Sequence, residues 1–144
     1  MAVGKQGSKE VTITYDDAPA GTGRVITGFV MELGGAKIVV ETVESDAFGD
    51  AWREHTRTGM RNCPDIPVGG FFDTTTVTGP HVTLRPGDSD ADPSAGTRTL
   101  VLVFGDSKTF TVETLLVEYE VLGQNGALTK FAALIRPTGA AVWS

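Results

Sequence analysis

Two histidines, one cysteine and a few clustered carboxylates are the residues of this chain that could carry chemistry. His55 and His81 stand 26 positions apart with no cysteine pair between them. A zinc site needs three or four ligands at suitable spacing, so the plain reading is two surface or half-buried histidines. Cys63 stands alone, which rules out an internal disulfide and reads as a small buried hydrophobe. The stretch GDSDAD at 87–92 alternates carboxylates like a calcium loop, but it lacks the glycine and terminal glutamate of an EF-hand and reads as a solvated loop. Glu113, Glu118 and Glu120 could pass for a catalytic carboxylate set, and cations on neighbouring strands would give them a structural role instead. None of the serines (Ser8, Ser45, Ser89, Ser94, Ser107, Ser144) sits in a nucleophile elbow. Gly69-Gly70 lacks the lysine and Ser/Thr of a phosphate loop. The residues assemble no catalytic constellation, and the reading is a non-enzymatic protein with no cofactor and no metal.

The elements that would position these residues are strands. The chain has 144 residues, enough for one domain with a proper core, and 40% hydrophobic against 21% charged residues is ordinary globular composition. Its longest apolar run, 100–104, is far short of the roughly 20 residues a membrane span needs. The first ten residues lack the apolar core of a signal peptide, so a cytosolic chain with no membrane partner is expected. With 18 acids against 12 bases the net charge is −6, which argues against binding nucleic acid by phosphate neutralisation. The same charge suits a surface that nucleic acid slides past.

Residues 1–10 read as a flexible arm and 11–15 (VTITY) as a first strand, with Val11, Ile13 and Tyr15 on one face. The stretch 24–44, RVITGFVMELGGAKIVVETVE, reads as a long hairpin whose arms, 24–33 and 36–44, meet at Gly34-Gly35. Arms of that length exceed the usual strand of about 5–6 residues. Asp50 could cap a short helix through His55, 60–67 looks irregular, and 68–72 is a short strand weakened by glycines. Between 73 and 84 a weak helix and an extended segment are equally compatible, with Gly79-Pro80 breaking either, and 85–97 reads as an exposed loop. Residues 98–104 are apolar on both faces, as in a central strand, and 105–108 (GDSK) turn the chain. A second long strand spans 110–122, and its apolar phase changes around Thr114-Leu115, which predicts a β-bulge there. Gln124-Asn125-Gly126 turns the chain into a last long strand, 128–137, with Phe131, Ala133 and Ile135 on one face and Trp143 packing nearby. The fold class is mainly β: a small sandwich or barrel with one short helix and long hairpins.

The order of these pieces resembles the tail tube, or major tail, proteins of long-tailed bacteriophages. The matching features are the glycine-turned hairpin, the segment ESDAFGDAWREHTRTGMR (44–61) and the stretch PDIPVGGFFDTT (64–75), where such proteins carry a G-F-Y/F-D-D/T turn. To these are added the strand–hairpin–strand run at the C-terminus and the close IRPTGAAVW (135–143), like their tG.v.w ending. The likeness spans nearly the whole chain and lies in the order of degenerate pieces. It departs at 73–84, where a clearer helix is expected.

The resemblance implies a structural subunit that pairs with itself in hexameric rings stacked into a hollow tube, placed in the virion tail after assembly in the host cytoplasm. Its further partners would be the tape measure, tail terminator and tail tip proteins, and DNA would pass through the lumen without specific binding. Four long strands from each of six subunits would make a barrel of about 24, roughly 48 Å across at the backbone and wide enough for duplex DNA. On this reading Gly34 and Gly35 form a hairpin tip at the ring contact. Glu32, Glu41 and Glu44, with Lys37 too sparse to reverse the sign, are the lumen candidates. The alternatives are another tube, terminator or secretion-system component of the same composition, and a β-sandwich ligand-binding module.

Overall fold

The computed structural model of the chain describes residues 11–74, 79–105, 107–123 and 125–144. The expected N-terminal arm, residues 1–10, lies outside them, as do part of the ambiguous segment at 73–84, Asp106 of the GDSK turn and Gln124 of the last turn. The described chain folds as strands β1 (Thr12–Asp16), β2 (Gly23–Val25), β3 (Val30–Leu33), β4 (Val39–Glu44), β5 (His55–Asn62) and β6 (Ile66–Phe71), then helix α1 (Pro80–Leu84). Strands β7 (Arg98–Val103), β8 (Thr109–Leu122), β9 (Lys130–Pro137) and β10 (Val142–Trp143) complete it. One antiparallel sheet runs β2-β1-β7-β8-β9-β6-β3, with β10 added on β8; β4 and β5 form a separate two-stranded sheet. The fold is mainly β with one short helix, as the sequence pattern implies.

The main sheet rolls up on itself for a reason that can be stated in lengths. Seven strands laid flat would separate β2 from β3 by six spacings of about 4.8 Å, near 29 Å. Val25 and Val30 end and begin those two strands, and five residues reach at most about 18 Å. A single 3-10 turn at Thr27–Phe29 makes the link, and Thr27 Oγ1 accepts from the amide of Ile13 at 2.9 Å, tying it to β1. The concave face so formed holds Ile13, Tyr15, Leu100, Leu102, Phe110, Val112, Leu116, Phe131, Ala133, Ile135, Ile66 and Val68, with Leu84 of α1 closing over them. Strict alternation in β7 and β9 puts every second side chain inside. Trp143 stacks near Phe104 and Phe110, at 5.6 and 4.9 Å between ring centres.

Several expectations are corrected. The hairpin over 24–44 does not form: its first arm breaks at Thr27–Phe29, β3 pairs with β6, and β4 pairs with β5. Neither Gly34 nor Gly35 adopts a positive φ, so no tight two-residue turn is made; the Gly34 amide instead donates to the Pro67 carbonyl and extends the β3–β6 ladder. The helix expected after Asp50 is absent, and His55–Asn62 is strand β5, paired along its length with β4. The segment judged irregular at 60–67 is the end of β5 and the start of β6. The bulge in β8 falls between Leu116 and Glu118, beyond the Thr114-Leu115 position suggested by the pattern. At 73–84 the helix is confined to the part after Gly79: Pro80 opens α1 at the first turn, where its missing N–H costs nothing, and 75–78 lie outside the described residues.

The loop at 85–97 is exposed as expected, except where Asp90 turns its side chain inward. Asp90 sits in a 3-10 turn and receives both Nε and Nη2 of the buried Arg98, at 2.8 and 2.7 Å. Nη1 of Arg98 donates to the carbonyls of Asp16 and Thr83, at 3.0 and 2.6 Å, so one guanidinium joins β7, β1, α1 and the loop. Tyr15 lies against it, 5.6 Å from ring centre to Cζ, and its hydroxyl meets Thr114 Oγ1 at 3.0 Å. Removing one partner of a buried pair strands the other charge. Asp90→Ala is therefore expected to lower the free energy of unfolding by about 3–5 kcal/mol in urea denaturation, and Asp88→Ala, an exposed neighbour, by less than about 0.5 kcal/mol.

Burial pushes the Tyr15 hydroxyl up from 10.0 to about 12, against the opposing pull of the Thr114 hydrogen bond and the Arg98 charge. Above pH 10 the unfolded chain gives up this proton while the folded chain keeps it, so unfolding is favoured. The stabilisation is full below pH 10 and lost as pH rises through about 12, a fall on the order of 2–3 kcal/mol. Denaturant titrations between pH 9 and 12 should show this fall in the native chain and lose it in Tyr15→Phe.

Candidate assembly surface

Four strands, β3, β6, β9 and β8, turn a second face away from the core. Register fixes its members: Glu32 lies across from Gly69, Gly69 from Ala132, and Ala132 from Glu120, so a single row crosses all four strands. The next row holds Pro67, Leu134 and Glu118. The bulge at Val117 makes this possible. Before it, odd-numbered residues of β8 face outward (Glu113, Leu115); after it, Glu118, Glu120 and Leu122 do, while Tyr119 and Val121 turn toward Ala133 and Phe131. Glu32, Glu118 and Glu120 are exposed and carry no ion pair among the described residues. Strand β9 places two cations on the same face, Lys130 and Arg136; as expected of a neighbouring-strand cation, Arg136 interacts with Glu118 while pairing with Asp65 at 3.1 Å, and Glu113 accepts from the Thr99 hydroxyl at 2.7 Å. With Glu32, Glu118 and Glu120 against Lys130 and the Asp65-paired Arg136, the face is acidic on balance.

Both margins of this four-stranded face are unpaired. Strand β7 stops pairing with β8 at Thr114, so residues 115–122 have β9 on one side and, among the described residues, no strand on the other. Strand β3 has β6 on one side and, among the described residues, no partner on the other. All contacts within the set are antiparallel, so β3 and β8 run in opposite directions. Two copies related by rotation about an axis parallel to the strands could therefore join β8 to β3 as another antiparallel pair. Exposed Leu115, Val117 and Leu122 lie along the open part of β8.

The sheet of β4 and β5 is the second component. Every residue of both strands is exposed, and it carries Val39, Val40, Val43 and Met60, with Phe48 and Trp52 in the connecting loop. An isolated two-stranded hairpin is marginal in water; this one is held by ladder bonds, the Ser45–Glu54 backbone bond, and Arg53 reaching Glu44 and Asp46 at 2.9 and 3.4 Å. It is an arm that shows apolar surface and covers none of its own core.

Of the residues singled out in the sequence, Glu32 lies on the acidic face, whereas Glu41 and Glu44 lie on the arm and Lys37 on the link leading to it. The structure does not bring these four together. Sequence reasoning passed over Glu118 and Glu120 as lumen candidates, although their alternation with Tyr119 and Val121 was available as a signal. His81 is half-buried, its Nδ1 2.9 Å from the Tyr119 hydroxyl, and His55 is exposed on the arm. Cys63 is buried, and burial pushes its thiol up.

Neither a protein-family model nor a curated protein sequence matches the chain. Solved structures do match. A chain from the tail of an empty gene transfer agent particle, refined helically with C6 symmetry, superposes with a TM-score of 0.74 at 15% identity, covering 97% of this chain and 99% of that one. A chain from the anti-feeding prophage baseplate, 6-fold symmetrised, gives 0.71 at 11% identity over 100% and 97%. One from the SPP1 tail tube gives 0.64 at 10% identity over 97% and 79%. The fold of this chain is thus the one found in phage tail tube and related tail chains.

Gly34 and Gly35, adjacent in sequence, differ in their surroundings. A Cβ on Gly34 would run into the Pro67 ring, while one on Gly35 meets open space. Gly34→Ala is expected to lower stability by about 1–3 kcal/mol through overpacking, and Gly35→Ala to leave it unchanged or raise it by up to about 1 kcal/mol. Thermal unfolding of the two variants checks the contrast.

Proposed function

We propose that this protein is the subunit of a phage-type tail tube, assembling into six-fold rings that stack as a hollow conduit for DNA. The observation that carries the reading is the four-stranded face with an open edge on each side. Unpaired edges are a liability in a soluble monomer, and ring closure between copies removes them. Six copies contribute about 24 strands to a continuous antiparallel barrel, roughly 48 Å across at the backbone. The C6 symmetry of one matching assembly and the six-fold symmetry of another support this copy number.

On this reading Glu32, Glu118 and Glu120 line the channel. Repeated around the ring, they repel phosphates and let DNA pass without sticking. Glu41, Glu44 and Lys37 belong to the arm and its root and would meet a neighbouring copy rather than the lumen; Gly34 and Gly35 lie at that root. The tape measure, terminator and tip proteins remain the expected companions in a virion tail. A subunit that forms one ring and never elongates would instead be a terminator.

Electron microscopy of the concentrated protein in negative stain tests the proposal. Hollow filaments or six-fold rings are expected; compact monomers at every concentration would overturn it. In the same preparations Glu32→Lys/Glu118→Lys/Glu120→Lys is expected to form tubes that retain added duplex DNA at low salt and release it at high salt.

A further inference from the structure

Ring closure would lay β3 of one copy along the open stretch of β8 in the next, and strand geometry restricts how the two can meet. Glu32 faces outward across from Gly69, so its partner on β8 must face outward too. On β6, Leu33, Glu32 and Val30 take up three consecutive positions, Val68, Gly69 and Gly70, with a bulge between Val30 and Glu32, and they need three such positions on β8. Free positions run from Leu115 to Leu122, since Thr114 already pairs with β7. Glu32 opposite Leu115 would displace that pairing, and opposite Leu122 it would leave Val30 beyond the end of the strand. Val117 is the bulged residue. The outward positions that remain are Glu118 and Glu120. Hydrogen-bonding phase permits both. The Gly34 amide donates to Pro67, so Glu32, two residues earlier, also turns its amide and carbonyl toward β6. Alternation through Gly69 and Ala132 makes Glu120 turn its own toward β9. A joint between them is therefore a non-hydrogen-bonded pair, with Cα atoms about 4.5 Å apart.

We infer that ring closure sets Glu32 of one copy directly against Glu118 or Glu120 of the next, and that repulsion among these carboxylates holds free subunits apart until protons neutralise it. The inference rests on the tube reading, but it can fail separately. In either register the second glutamate of β8 lies on the diagonal, about 7–8 Å away, so each joint gathers carboxylates from two copies. Like charges directly opposite destabilise a cross-strand pair. The other charges facing the joint do not cancel them. Strand β9 supplies Lys130, across from Leu122, and Arg136, which acts on Glu118 but pairs with Asp65. Strand β6 turns Phe71, Gly69 and Pro67 outward, and Lys37 lies on the link beyond β3. His81 and Arg85 act on Tyr119, whose side chain points to the opposite face. The loop beside Leu115 adds Asp92 and the Arg98-bound Asp90. Two carboxylates this close hold one proton to higher pH than separate ones do. The closed joint thus binds more protons than free subunits, and falling pH favours closure.

Sedimentation velocity and negative-stain microscopy of the full chain measure the threshold concentration for rings or tubes. At neutral pH Glu32→Gln should lower it by about 5-fold, and Glu32→Lys at least as much. Asp88→Asn, which removes one charge from an exposed loop position, should leave it within about 2-fold. The native threshold should fall between about pH 7.5 and pH 5.5, and that of Glu32→Gln should fall less. Register is read separately. Glu32→Cys is mixed with Glu118→Cys or with Glu120→Cys and oxidised by dissolved oxygen over a copper catalyst, oxygen taking up the electrons and protons of the two thiols. One of these mixtures should give mixed disulfide dimers, because the pair has the Cα spacing a disulfide needs. A mixture with Glu113→Cys, on the part of β8 already paired with β7, should not. Rings or tubes with equal thresholds for Glu32→Gln and Asp88→Asn overturn the gate and leave the tube reading standing. Tubes in which neither mixture cross-links overturn the joint itself. Mixed dimers from a chain that never makes rings or tubes support the joint and overturn the tube. Compact monomers with no mixed dimer at any pH overturn both.

Discussion

A β-strand must find a partner along both edges or leave its amides and carbonyls to water, and strand β8 meets that requirement for only part of its length. Its first half is inside the body: β7 lies on one edge and β10 on the other, and Phe110 and Val112 are in the core. Its second half keeps β9 but outruns β7. The bulge at the junction lets one strand serve two surfaces. It reverses which side chains face outward, so that Glu118 and Glu120 join Glu32 while Tyr119 stays near the core. The acidic face and the open edge are consequences of the same irregularity.

The body can leave this much unpaired because it is tied together elsewhere. The guanidinium of Arg98 meets Asp90, Asp16 and Thr83, and the Tyr15–Thr114 contact lies beside it. A buried bidentate pair is a weak source of net stability against an apolar replacement, and it fixes geometry here. The loop and α1 just before β7, and β1 from far earlier in the chain, converge on one planar group, which holds the β1–β7–α1 end in place. The unpaired stretch of β8 begins at Leu115, directly beyond the Thr114 that pairs with Arg98, so the pinned end borders the open edge.

The arm follows the same logic at larger scale. Residues 39–62 place valines, methionine and two aromatics in solvent, a composition that makes no sense for a solitary chain. Solved tail chains with the same fold are found in six-fold assemblies. Residues of the concave face set the stability of the chain, and the exposed apolar residues of the arm cover none of that core.

How much of this was legible in the sequence divides along a physical line. Alternation in VTITY and KFAALIR marked those strands and their core faces, because a period of two is a local property of a pleated chain; RTLVLVF read as a strand apolar on both faces, and the structure buries only one of them fully. The phase change in 110–122 announced a bulge, though it was placed early: Leu115 and Val117 looked like core residues and are outward-facing, exposed side chains. The acidic balance was also readable. What the sequence could not decide was which strand lies beside which. Gly34-Gly35 between two apolar arms satisfies every local rule for a hairpin, yet β3 gains more by pairing with β6 near the Pro67 carbonyl, and β4 by pairing with β5. The segment from Asp50 to His55 suited a helix locally and yielded to that second pairing. The pairing of β3 with β6, the contact of Arg98 with Asp16, and the gathering of Glu32 with Glu118 and Glu120 all depend on contacts between distant residues. Only the tertiary structure sets those, because backbone hydrogen bonds and buried charge are satisfied across the whole sheet and not within any one stretch of chain.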